Sequence, residues 1–107
     1  MSTLRVVISG DSMWPSYRSG DEVEFNAVDG VELQIGDLVV ATHPLKSGVK
    51  VVKRISDIDS HGRYILIGDN PDPIASEDSH NFGPVSRGAI IAYFREDSAQ
   101  IQQISHE

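Results

Sequence analysis

The chain has 107 residues with 16 acidic side chains against 9 Lys and Arg, a formal net charge of -7 and no cysteine. That length holds one domain with one modest core, burying roughly two thirds of the unfolded surface; the acidic surplus offers no basic field for phosphates, so nucleic acid is not an expected partner. Thiol catalysis, disulfide staples and thiolate metal sites are excluded outright.

Apolar stretches are short, rich in Val and Ile, and separated by Gly, Pro, Asn and Asp, which predicts a mostly β fold of about six strands with little helix. The expected strands are Leu4 to Ile8, Glu22 to Asn26, Asp37 to Thr42, Val49 to Ile58, Tyr64 to Ile67 and Ala89 to Phe94. Gly20-Asp21 and Gly36-Asp37 open two of them. Asp59-Ser60-His61-Gly62 reads as a hairpin turn that makes the fourth and fifth strands antiparallel neighbours. The stretch from Gly68 to Pro84 carries three prolines and many small polar residues, too long for a simple turn and therefore a candidate functional loop. Residues 97–107 read as a short capped helix or a tail, and the whole chain as a single domain with its core at about 4–94. No apolar run approaches the ~18 residues of a membrane span. Eleven residues precede Ser12, too few for a signal peptide ahead of a folded domain, so the expectation is a soluble, cytoplasmic protein.

Two residues suggest chemistry. In the fourth strand, alternation puts Val49, Val51, Lys53 and Ile55 on one face and Lys50, Val52, Arg54 and Ser56 on the other. If the strand is half buried, Lys50 and Arg54 are the solvated charges and Lys53 lies among branched aliphatics. An ordinary lysine, with a pKa of about 10.4, holds its proton at neutral pH; desolvation penalises the charged form and turns the amine into a base. The same pattern is met by a lysine that snorkels to the rim and carries no chemistry. The second residue is Ser12, in Gly10-Asp11-Ser12-Met13-Trp14-Pro15. Gly10 permits positive φ and Pro15 disfavours helix at Trp14, so Ser12 belongs to a constrained loop after a strand. Such loops present side chains to ligands, and they are also ordinary turns.

Three segments in order, Gly10-Asp11-Ser12-Met13-Trp14-Pro15, Val52-Lys53-Arg54-Ile55, and Gly68-Asp69-Asn70 leading to Ser76-Glu77-Asp78-Ser79 and Gly83-Pro84-Val85, resemble those of type I signal peptidases and their relatives over about residues 6–94. The resemblance implies a small signal peptidase/LexA-like β fold with a partly open barrel. It implies a serine endopeptidase with a Ser/Lys dyad, in which Ser12 is the nucleophile and Lys53 the general base, with no metal or organic cofactor. Ser76 matches the serine that orients the lysine and Asp78 an acid that holds the loop, although Pro71 to Ala75 lengthens the usual spacing. Gly10 occupies the place where some relatives carry a hydroxyl that helps bind the oxyanion. His80 replaces an arginine common after Asp-Ser. Met13 and Trp14 are candidates to line the substrate cleft; for Trp14, capping the core is an equal alternative.

Other accounts of these residues are weaker. His43, His61, His80 and His106 read as solvated rather than as bases of a Ser-His-Asp triad, and His80 with Asp78 and Asp72 lacks a metal-ligand spacing. LexA-type repressors and their mutagenesis relatives cut themselves at an Ala-Gly or Cys-Gly, and neither dipeptide occurs here. What remains most resembles the soluble nickel-type superoxide dismutase maturation proteases, which remove an N-terminal propeptide from a partner protein. The implied partner is a protein precursor, with the nickel belonging to the substrate. The alternatives are the core of a membrane-tethered signal peptidase, a LexA-like module, and a non-catalytic binding module of the same fold.

Overall fold

Alternation of apolar and polar residues governs the strands. In β2 (Glu22–Ala27), Val23 and Phe25 point inward while Glu22, Glu24 and Asn26 stay in water. In β3 (Leu38–Thr42) four consecutive residues are buried, because both faces of this strand are covered. Leu38 and Val40 join one apolar cluster with Ile8, Met13, Val23, Phe25 and Ala92. Val39 and Ala41 join the other, with Leu33, Ile55, Tyr64, Leu66, Val85 and Ile90. Phe25 and Phe94 meet edge to face with centroids 6.5 Å apart in the first of these clusters.

The computed structural model describes residues 3–72 and 83–96. With β1 (Thr3–Val7), β4 (Lys50–Ile58), β5 (Tyr64–Ile67) and β6 (Ile90–Phe94), these strands form one six-stranded antiparallel sheet in the order β1-β2-β6-β3-β4-β5, not closed into a barrel. Among the described residues there is no α-helix, only a turn of 3-10 helix at Arg87–Ala89. The mostly β fold and its six strands are as the sequence predicts; the expected helix or tail at 97–107 lies outside the described residues. Ala89 ends the 3-10 turn instead of opening β6.

The hairpin between β4 and β5 forms at the predicted place, closed by the Asp59 amide on the Arg63 carbonyl at 2.8 Å, with Gly62 at φ +77°. Positive φ costs a side-chain-bearing residue energy, which is why glycine stands there. Two solvated readings of the sequence are overturned. His43 is 3% exposed, and its Nδ1 accepts hydrogen bonds from the Leu45 and Lys46 amides at 3.0 and 3.1 Å. It is drawn into the turn after β3, where it accepts two backbone donors. Arg54 is likewise drawn in, as described below.

Asp37 precedes β3 and is 2% exposed. Its carboxylate accepts Arg95 Nε and a terminal guanidinium nitrogen at 2.9 Å each, and the Gln34 amide at 2.9 Å, which fixes the entry of the central strand. Asp37→Ala removes the acceptor that three donors share. The expected loss of unfolding free energy is about 2 kcal/mol in urea denaturation, held to that size because the guanidinium end stays partly in water.

Candidate functional site

Ser12 is placed by a turn with an anchor on each side. Ile8 is buried and its backbone bonds Asp21 and Gly20, which extends the pairing of β1 with β2 to the start of the loop. Gly10 then takes φ +83° and its amide donates to Ser19 Oγ at 3.3 Å. The Trp14 amide bonds the Asp11 carbonyl at 3.0 Å, so Ser12 and Met13 are the central residues of a tight turn. Met13, 1% exposed, drops into the core as the turn's apolar anchor. Ser12 is left half-buried beside a cavity.

That cavity has a volume of about 440 Å³ and is lined by Leu4 to Ser9, Ser12, Met13, Val40 and Lys50 to Lys53. Consecutive residues of β1 and β4 line it, so strand edges rather than single faces form its borders. β1 ends the sheet, and the ladder between β4 and β5 starts at Arg54, beyond the stretch from Lys50 to Lys53. Lys53 is 3% exposed and pairs across the sheet with Val39, on the face that carries Val51 and Ile55. The burial expected from alternation is therefore present, and the sheet brings Ser12 and Lys53 to one cavity although they are far apart in sequence.

Of the other expected site residues, one shares this cavity. Met13 borders the cavity, but Trp14 does not; it is 45% exposed and does not cap the core. Trp14 lines a separate shallow depression with Asp11, Asn70, Pro71 and Asp72. Ser76, Asp78 and His80 lie outside the described residues. Among the described residues no three His, Asp or Glu side chains cluster as metal ligands would.

Sequence reasoning missed the groups that fasten the Ser12 turn. The Asn70 amide donates to the Ser12 carbonyl at 2.9 Å, and Asn70 Nδ2 donates to the Asp11 carbonyl at 2.8 Å. Asn70 is itself fixed by its neighbour Asp69, which the Arg54 guanidinium holds through Nε at 3.0 Å and a terminal nitrogen at 2.8 Å. Arg54 also donates to Glu96 at 3.1 Å and to the Gly36 carbonyl at 3.0 Å. Glu96 in turn accepts Tyr17 Oη at 2.7 Å, and Asp69 accepts from Ser16, so both carboxylates grip the far end of the Ser12 loop. The sequence signal was the polar run Gly68-Asp69-Asn70 straight after β5, whose partners only the fold reveals.

Electrostatics follow the geometry. Burial works to raise the Asp69 and Glu96 carboxyls, but hydrogen bonds from Arg54 and Ser16 to Asp69, and from Tyr17 and Arg54 to Glu96, outweigh it and hold both below their ordinary values of 3.8 and 4.5. Hydrogen bonding to Asp69 keeps Arg54 firmly charged, and burial together with Glu96 pushes the Tyr17 phenol well above its usual range. A depressed carboxylate adds stability that is complete above its ordinary pKa and is lost as pH falls through its folded pKa. Stability should therefore drop below about pH 4.5 as the two acids protonate. In Arg54→Gln this part of the drop disappears, so urea midpoints of the two proteins converge as pH falls from neutrality to about 2. Compared with known proteins, the chain matches no family model and no curated protein.

Proposed function

We propose that this chain is a serine endopeptidase working through Ser12 and Lys53. One observation carries the reading: a serine on a fastened turn and a lysine almost wholly removed from water border the same cavity. A buried amine has a reason to be neutral, and a neutral amine beside a hydroxyl is a base without need of histidine. Lys53 takes the proton as Ser12 Oγ attacks the substrate carbonyl carbon. The Ser12 amide helps hold the oxyanion, and the ammonium returns the proton to the departing nitrogen as the peptide bond breaks. Water, activated by the same amine, then hydrolyses the acyl-enzyme.

The cavity's borders fit an extended peptide. β1 and the start of β4 offer strand edges on either side, so a substrate segment can add as a strand with its carbonyl brought to Ser12. The proposed substrate is the N-terminal propeptide of a partner protein, with the nickel-type superoxide dismutase precursor as the named candidate; this rests on the resemblance of the three segments described above. No metal enters the proposed mechanism.

Incubation with that precursor should shorten it by its N-terminal extension, read by mass. Ser12→Ala and Lys53→Met should each cut the rate by about a thousandfold. The Lys53→Met protein should still unfold cooperatively in urea, which separates loss of activity from loss of fold. Full activity in either variant would remove the dyad. Because only the uncharged amine accepts a proton, cleavage should rise with pH through mild alkali; a flat single-turnover profile would exclude a lysine base.

A further inference from the structure

The turn that carries Ser12 has a second side. Asp11 and Trp14, its two ends, border a depression of about 460 Å³ together with Asn70, Pro71 and Asp72. Trp14 is the only tryptophan of the chain, and it stays 45% exposed while its neighbour Met13 is buried. An indole face carries negative electrostatic potential and, in the same depression, Asp11 and Asp72 add two carboxylates. This combination attracts a cationic side chain and gives a neutral or acidic one little.

The backbone of the walls is also held in place before any ligand arrives. Asn70 holds the Asp11 and Ser12 carbonyls, its Oδ1 accepts the Asp72 amide at 2.8 Å, and the Trp14 amide is tied to Asp11. Binding is left to order the exposed side chains, not the backbone that carries them. The formal net charge of -7 strengthens the field toward a cation.

We infer that this depression is the subsite for a lysine or arginine side chain of the peptide substrate, on the far side of the scissile bond from the cavity between β1 and β4. The word substrate rests on the endopeptidase reading; the preference for a cation rests on Trp14, Asp11 and Asp72. A substrate would lie extended between the strand edges, pass Ser12, and set a basic residue against the indole.

Because Trp14 is unique, its fluorescence reports on this depression alone and needs no turnover. The Ser12→Ala protein is titrated with hexapeptides blocked at both ends, alanine throughout except for a central arginine, or citrulline in its place. Arginine should bind roughly tenfold more tightly than citrulline. The advantage should shrink with added salt and vanish in a protein that also carries Asp11→Asn and Asp72→Asn. Equal affinity for the two peptides, or a Trp14 signal that responds to neither, overturns the subsite. Arginine-selective binding by a protein whose parent leaves the precursor intact upholds the subsite and sinks the endopeptidase; cleavage of the precursor with no arginine preference in peptide binding does the reverse.

Discussion

The Arg54 guanidinium is the contact on which the rest of the site depends. It joins Asp69 after β5, Glu96 after β6 and the Gly36 carbonyl before β3, and through the two carboxylates it reaches Ser16 and Tyr17 on the Ser12 loop. Hydrogen bonds to charged groups typically net about 1.5–3 kcal/mol each, and here several share one side chain that is largely withdrawn from water. The exposed pair of Arg5 and Glu22, at 3.9 Å, belongs to a class worth at most about 1 kcal/mol. A lysine in place of Arg54 would reach one carboxylate as a point charge and lose the planar fork that spans both.

Lys53 and Arg54 are consecutive, and a strand sends consecutive side chains to opposite faces. Lys53 is therefore turned to the face of Val51 and Ile55, and Arg54 to the opposite face, where the carboxylates hold it. The relation between the proposed base and the clamp on the proposed nucleophile is fixed by strand geometry rather than by side-chain conformations. Asn70 completes the link on the Ser12 side.

Much of this was legible in the chain. Short Val and Ile runs between glycines locate all six strands, since β-branched residues fit a pleated, half-buried surface and glycine ends it. Alternation alone puts Lys53 with Val51 and Ile55. The polar residues were read poorly. Arg54 and His43 look like solvated groups in sequence because their partners, Asp69 and the Leu45 and Lys46 amides, are set by turns and by strand order. Hydropathy records what water would prefer and is blind to a hydrogen-bonded partner inside the protein. Trp14 shows the converse: its size suggests the core, yet it stays 45% exposed while Met13 takes the inner position.

Ser56 stands as an extra residue between the pairs Ile55 with Leu66 and Asp57 with Ile65, and its hydroxyl donates to the Ile65 carbonyl at 3.2 Å. β4 is thus divided into a half that holds Lys53 and Arg54 against β3 and a half that belongs to the hairpin. The hairpin tip lies beyond that joint from Lys53, so a change in its length leaves the pairing of Lys53 with Val39 in place. Upstream of that joint the same strand has no such tolerance: a single inserted residue would exchange the places of a lysine and an arginine, and with them the dry side of the sheet for the ionic one.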